Sequence, residues 1–371
     1  MIARAFPVPP RGLPDRAATD PGAEPRMAFQ TPQQILVTGG AGFIGASVVR
    51  LLRERYPQAA VRVLHLPREN LKNLDGVQGI ELVPGDVTRR EDMDRAVAGC
   101  DTVFHLAAIY AVWLPDMSLI NRVNVDGTRT LLDACVRHGV RRVVYTSSAV
   151  CFCGHGLDTV CDETSPFAMK GHPYAESKIA SHRVAEEFAR KGLDLVLVCP
   201  VGPFGPGDVA PTPTGRIITE IFNVPVAIAM HTRMNLIDVR DCAMGHLLAL
   251  EKGRSGESYL LGGDNYTHVD VVQRVLAIAG IDRKVHEVSP KLLVPLAHLL
   301  KFAARFTGKA PFMTPAEMQQ AEGGLVCTAD KARRELGLVT RPLDETLRDA
   351  LAWFAAHGYI TDARVLARFR N

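Results

Sequence analysis

Three things are in short supply in this chain of 371 residues: paired cysteine, long apolar runs and charge of one sign. Its eight cysteines are scattered and too few for the disulfide scaffold of a small secreted domain. No uninterrupted apolar run reaches the roughly 18–20 residues of a spanning helix, so no transmembrane segment is expected. Forty-three Lys and Arg against forty Asp and Glu leave a formal charge of +3 with no basic block. Nucleic-acid binding by phosphate neutralisation is therefore not expected. The N-terminus has no apolar h-region of a secretory signal, and Asp15, Asp20 and Glu24 argue against an acid-poor transit peptide. Pro7, Pro9, Pro10, Pro14, Pro21 and Pro25 interrupt any regular element there. Residues 1–31 are read as a disordered tail, with Met27 as an alternative start.

Beyond that tail, short apolar strands alternate with helical patterns. Strands are expected at 34–38, 61–64, 80–83, 102–106, 142–145 and 195–198, and helices at 46–55, 90–98, 124–137 and 175–190. This rhythm predicts βαβ units and a parallel sheet covered on both faces. After Pro200, Pro/Gly-rich loops give way to helices. The expected organisation is a nucleotide-binding domain over 32–200 and a mainly C-terminal substrate-binding domain over 201–371, part of it returning to the sheet near 233–245.

The first strand runs into Gly39-Gly-Ala-Gly42-Phe-Ile-Gly45 and then a helix. Gly39 permits a tight turn, Gly42 lets backbone approach a pyrophosphate, and Gly45 lets helix pack on strand. A helix N-terminus offers unpaired N–H groups to phosphate oxygens. Dinucleotide binding follows from that context. An NAD site usually carries an acid about 20 residues beyond the glycines, where this chain has His65, with Arg68 and Lys72 nearby. Those cations suit a 2′-phosphate, so NADP(H) is favoured over NAD(H), although Glu69 lies in the same turn. Asp86 is placed either to accept from the adenine amino group or to stabilise the turn before Thr88.

Tyr174-Ala-Glu-Ser-Lys178 opens a helix, and residues four apart share a face. An ammonium near a phenol favours the phenolate, so Tyr174 can exchange a proton with a substrate oxygen. Ser147-Ser148, at the end of the fifth strand, can supply a hydroxyl that orients that oxygen.

These marks together resemble an extended short-chain dehydrogenase/reductase. They are Thr38 to Gly45, Gly85-Asp86, His105-Leu-Ala107-Ala108, Asn124-Val-Asp-Gly127-Thr128, Ser147-Ser148 and Tyr174 with Lys178. Within that superfamily the chain resembles the dihydroflavonol-reductase-like group, most closely bacterial proteins labelled hopanoid-associated sugar epimerases. The latter likeness lies in Pro211–Ile218, Gly245–Gly253, Lys331–Gly337 and Trp353–Gly358. A weaker likeness to 3β-hydroxysteroid dehydrogenases lies in Gly202–Gly207. The resemblance implies an α/β fold, a Rossmann doubly wound parallel sheet with a smaller C-terminal substrate-binding domain. It gives the serine role to Ser148, with Ser147 as the fallback, and sets Lys178 on the nicotinamide ribose. Pro200 and the backbone after it would meet the nicotinamide end. Phe43, Ile44, Val87, Leu106, Ala107 and Ala108 would complete the dinucleotide site, alongside Tyr174. A cytoplasmic homodimer acting on a small molecule is implied as well.

The expected reaction interconverts a ketone and a secondary alcohol on a mainly apolar substrate, since Ile109–Leu114 is apolar around Trp113. The alternative is a sugar-nucleotide epimerase with retained NAD+. Its diphosphate substrate needs cationic donors, for which Arg216 and Arg233 are the candidates. Cys151, Cys153, His155 and Cys161 lack the second pair of a structural zinc site, so no metal is expected. Lys291–Arg305, apolar with basic punctuation, is read as a core-packed helix or lid in preference to an interfacial helix on lipid.

Overall fold

The computed structural model describes residues 29–369 apart from 223 and 225. Met27 and residues 1–28 of the expected tail lie outside the described residues. Seven strands form one parallel sheet: β1 (Gln34–Thr38), β2 (Ala60–His65), β3 (Ile80–Pro84), β4 (Thr102–His105), β5 (Arg142–Thr146), β6 (Leu195–Pro200) and β10 (Ser258–Leu261). Their order is β10-β6-β5-β4-β1-β2-β3, and every pairing is parallel. The order reverses at β1, which lies between β2 and β4. The crevice beyond the carboxyl ends of β1 and β4 is thus the switch point where ligands bind in such sheets.

The expected strands form because their residues alternate between two buried layers. Ile35 and Val37 face the layer built with α1 (Phe43–Arg55) and α7 (Val239–Lys252). Leu36 faces the layer built with α2 (Arg90–Val97), α4 (Thr128–Arg137) and α5 (Pro173–Arg190). At β3, one edge of the sheet, Glu81 and Leu82 are exposed. The helix expected at 124–137 begins earlier, with α3 (Ser118–Asn121), and widens into a π-helical turn over Arg122–Gly127 before α4.

The second half does not return to the sheet near 233–245. β9 (Arg233–Asp238) joins a separate three-stranded sheet with β7 (Pro203–Phe204) and β11 (Asp264–Thr267), and β8 (Ala227–Met230) pairs with β12 (Val285–Val288). Buried Asn235 explains the diversion: its Nδ2 donates to the carbonyls of Gly263 and Cys327, tying β9 to later chain rather than to β6. The segment that re-enters the large sheet is Ser258–Leu261, alongside β6.

Around a third core lie α6 (Pro213–Ile221), α8 (His268–Ala279), α11 (Leu343–Ala356) and α12 (Ala363–Phe369). The expected core-packed helix is α9 (Pro290–Thr307), which lies against α10 (Pro315–Gly323). Its packing corrects that expectation. It buries the small residues Ala297 and Ala304, and it leaves Leu292, Leu299, Phe302 and Phe306 in solvent. No layer faces the large side chains.

Burial holds four imidazoles neutral well below the ordinary value of 6.5: His105 at about 3, and His182, His246 and His268 at about 4. The unfolded chain protonates all four as pH falls through 6.5, whereas the folded chain does not. Stability therefore rises with pH between about 4 and 6.5, by about 1.4 kcal/mol per histidine per pH unit. Thermal unfolding at pH 7 and pH 5 is expected to show a clearly lower midpoint at pH 5; equal midpoints would contradict the neutral buried histidines.

Candidate active site

The glycine turn is closed on itself. Gly42 N–H donates to the Gly39 carbonyl (3.1 Å), and a Cβ on Gly45 would lie 2.0 Å from that same oxygen. Gly39 has φ +68°, and a Cβ there would meet Ala107 N at 2.7 Å. The turn is thereby pressed against Leu106 and Ala107 after β4. Gly42 stands exposed at the α1 N-cap, where a Cβ would meet only the Gly39 oxygen within 4 Å, and no side chain caps that helix. The first-turn N–H groups around Phe43, Ile44 and Gly45 are the kind of donors that receive a diphosphate. Asn73 braces the turn by donating to the Ala41 carbonyl at 3.1 Å.

At the end of β2, His65 Nδ1 engages the Leu66 carbonyl, and Glu69 accepts the Leu66 N–H at 2.9 Å. The one acid of this turn is therefore folded back into it. Arg68 is exposed and makes no hydrogen bond or ion pair among the described residues. Asp86 Oδ1 accepts from both the N–H and the hydroxyl of Thr88 at 2.9 Å, one of the two roles expected for it beside the adenine contact. The α2 N-cap is Arg89 rather than Thr88. Val87 is buried and wedged against Gly127, where a Cβ would come within 2.8 Å of it. Pro200 ends β6, and the chain turns at Gly202 (φ +48°), where a Cβ would fall 2.4 Å from the Asn235 carbonyl. Ala108 continues the loop after β4 towards Ile109.

A chain of hydrogen bonds joins these pieces. Ala107 N–H donates to Thr38 Oγ1, which meets His105 Nδ1 at 2.7 Å. His105 Nε2 meets Thr128 Oγ1 at 3.0 Å, and Thr128 donates to the Asn124 carbonyl at 2.7 Å. Since the Thr128 proton is already committed, the network assigns the imidazole proton to Nε2. Asn124 then accepts from Ile109 N–H (2.7 Å) and donates to the Ile109 carbonyl and Ser177 Oγ. The π turn sets Asn124 where it can bridge the β4 loop and α5, a common placement of such turns at functional sites. Its role was not foreseen, although the Asn124-Val-Asp-Gly127-Thr128 string was the available signal.

Helix α5 starts by capping chemistry: His172 Nδ1 accepts from Ala175 N–H, Pro173 occupies the first turn, and Glu176 accepts from Gly171 N–H. This start presents Tyr174 and Lys178 on one face, both buried. The Ser148 hydroxyl acts on the Tyr174 phenol and favours its ionised form. Burial drives the phenol pKa upward and the Ser148 contact opposes that only in part, so Tyr174 is neutral at physiological pH. Ser147 turns the other way, to His182 Nδ1 at 2.7 Å. Ser148 is therefore the serine that meets Tyr174. Lys178 does not reach the phenol: its Nζ donates to the Thr146 carbonyl (2.9 Å) and the Tyr145 hydroxyl (3.4 Å). With no carboxylate to offset burial, its pKa is pushed down to about 8.

Tyr110, also unforeseen, lays its ring 4.5 Å from that of Tyr174. A cleft of about 680 Å³ opens between Trp113, Leu114 and Met117 on one wall and Lys301 and Arg305 of α9 on the other. It reaches Pro173 and Glu176 at the start of α5. Trp113 is thus a partly exposed cleft residue rather than core. Arg216 pairs with Glu317 at 3.7 Å, while Arg233 donates to the Leu157 carbonyl and faces Asp158. Cys151 and Cys153 are buried, with Cys151 Sγ 3.6 Å from Ser147 Oγ.

Comparison with known proteins agrees with this geometry. A profile described as the NAD dependent epimerase/dehydratase family matches residues 35–262. A Synechocystis protein named as a dihydroflavonol 4-reductase is 36% identical over 87% of this chain and 95% of its own length. Sterol demethylase protein B of Methylococcus capsulatus is 32% identical over 88% of this chain and 99% of its own length. Among solved structures, the dTDP-glucose 4,6-dehydratase DesIV of Streptomyces venezuelae, with NAD and TYD bound, superposes with a TM-score of 0.72. It is 26% identical, covering 88% of this chain and 99% of that one.

Replacing Asn124 with Leu would leave the half-buried Ile109 N–H and carbonyl without their partner. The expected result is a loss of about 1–3 kcal/mol in urea unfolding, together with weaker nucleotide binding. Unchanged values of both would remove Asn124 from the site's framework.

Proposed function

The chain belongs to the NAD dependent epimerase/dehydratase family of extended short-chain dehydrogenase/reductases, and from that premise we propose that it interconverts a ketone and a secondary alcohol on a mainly apolar substrate, preferring NADP(H). The observation that carries this reading is a neutral, buried Tyr174 beside Ser148, on the helix whose first turn, at Pro173 and Glu176, lines a cleft walled by Trp113, Leu114 and Met117. When bound, the dinucleotide supplies hydride to the carbonyl carbon or takes it from the carbinol carbon.

The chain's own groups do the rest. Gly39, Gly42 and Gly45 hold the diphosphate on the α1 N-terminus, and Arg68 faces a 2′-phosphate, with Glu69 folded back onto the Leu66 N–H. The open glycine cradle and the uncapped helix fit such a group. Tyr174 Oη gives its proton to the carbonyl oxygen in reduction and takes it back in oxidation, while Ser148 holds the same oxygen. A neutral phenol is the form that donates, which supports the reductive direction at neutral pH. Lys178, anchored on Thr146 and Tyr145, carries a positive charge towards the cofactor side. Its preorganised charge needs no movement during the reaction. A sugar-nucleotide substrate is less well served, because both candidate arginines already engage groups of this chain. The kinship with a sterol-named relative supports the apolar substrate class.

Two measurements test the reading. Tyr174→Phe is expected to lower turnover by about 10²–10⁴-fold while nucleotide affinity survives; full retained turnover overturns the proton role. Arg68→Ala is expected to weaken NADPH by about tenfold or more and leave NADH nearly unchanged. Equal effects on both nucleotides would overturn the NADP(H) preference. Release of stoichiometric, non-exchanging NAD+ from the denatured protein would instead favour the epimerase.

A further inference from the structure

Helix α9 is amphipathic in the unusual sense. Its small residues Ala297 and Ala304 face the protein, while Leu292, Leu296, Leu299 and Phe306, at spacings of four, three and seven, form one outward stripe. Leu292 is 75% exposed, Leu299 63% and Phe306 78%. Phe302 broadens the stripe, and Phe312 beyond the helix is exposed too. Single exposed apolar residues are ordinary, but a contiguous row of large ones marks an interaction surface.

The charge around the stripe identifies its partner. Lys291, His298 and Arg305, seven residues apart, run along one flank, and Lys301 on the helix and Lys309 beyond it are exposed too. From Val288 to Ala316 there is no Asp or Glu. A second copy docked isologously would bring these like charges together. An anionic lipid surface would instead accept the apolar row among its acyl chains and the cations at its headgroups. No helix among the described residues is long and apolar enough to cross a membrane, so α9 would lie in the interface rather than span it. The inner side of the same helix, at Lys301, Ala304 and Arg305, walls the cleft that reaches the first turn of α5.

We propose that α9 is a membrane-docking helix that seats this chain on an anionic bilayer. The docking is read without nucleotide or substrate, so it stands or falls separately from the reaction assigned above.

The test is cosedimentation of the full-length protein with sucrose-loaded vesicles, either phosphatidylcholine alone or phosphatidylcholine mixed with phosphatidylglycerol. The protein is expected to bind the mixed vesicles at least about tenfold better, and added salt should weaken that binding. Leu299→Ser combined with Phe306→Ser should abolish it. If that pair lowers the melting midpoint, Lys291→Gln with Lys309→Gln, which removes only charge, should still lower binding severalfold. No binding, equal binding to both vesicle types, or binding undiminished in both variant pairs overturns the proposal. A vesicle-independent dimer that disappears with Leu299→Ser and Phe306→Ser assigns the stripe to a second copy and overturns it as well.

Discussion

A neutral imidazole between two threonine hydroxyls organises the centre of this molecule. His105 is almost fully buried at the end of β4, with Thr38 at the end of β1 on one nitrogen and Thr128 of α4 on the other. Each hydroxyl passes the connection on, Thr38 from the Ala107 N–H and Thr128 to the Asn124 carbonyl. The two strand ends that form the switch-point crevice are thereby fastened to each other, to the π turn and, through Asn124 and Ser177, to α5. A buried polar chain of this kind is stabilising only when every member is satisfied. Here each donor finds an acceptor, and the glycine turn, the β4 loop and the Tyr174 helix are held in one frame. The low pKa of His105 follows from the same burial: a proton added to it would break the donor–acceptor order and leave a charge without a counter-ion.

That frame explains how an unaccompanied ammonium can sit inside the protein. Lys178 is buried, with a backbone carbonyl and a phenol hydroxyl as its acceptors. The ring of Tyr145 lies 5.1 Å from Nζ and adds its negative face. Tyr145 in turn donates to Ser181, which donates to the Lys178 carbonyl one turn earlier. The lysine's position is thus set by the strand beneath it and by its own helix, independently of Tyr174. The two residues are thus positioned independently: Ser148 bears on the phenol, whereas Lys178 is held by β5 and its own helix.

Much of this was legible in the sequence because short continuous apolar runs between helical patterns mark strands buried on both faces, and because glycines at Gly39 and Gly45 are dictated by contacts that no side chain survives. Tyr174 and Lys178 were legible as a helical i, i+4 pair. What spacing could not show was direction. Whether Ser147 or Ser148 meets the phenol depends on the twist of the backbone entering the short 3₁₀ turn at Ala149–Cys151, where Ser148 becomes the cap. The diversion of β9 was hidden for a similar reason, since Asn235 looks like an ordinary polar residue until its partners from Gly263 and Cys327 are in place. Tyr110 was hidden by its apolar surroundings, which read as wall rather than as an aromatic laid on Tyr174.

The inverted amphipathicity of α9 was the hardest feature to read, and its reason is physical. Periodicity shows that a helix has an apolar face, not which face meets the protein. In Pro290–Thr307 two apolar faces exist, one of small residues and one of large. Close approach of α9 to α10 selects the small face, as small side chains let helix axes come together. The large face is then displaced outward by geometry rather than by any lack of hydrophobicity. Lys301 and Arg305 on the same helix line the cleft that reaches the start of α5, so the packing choice that exposes the leucines also places these cations at the cleft.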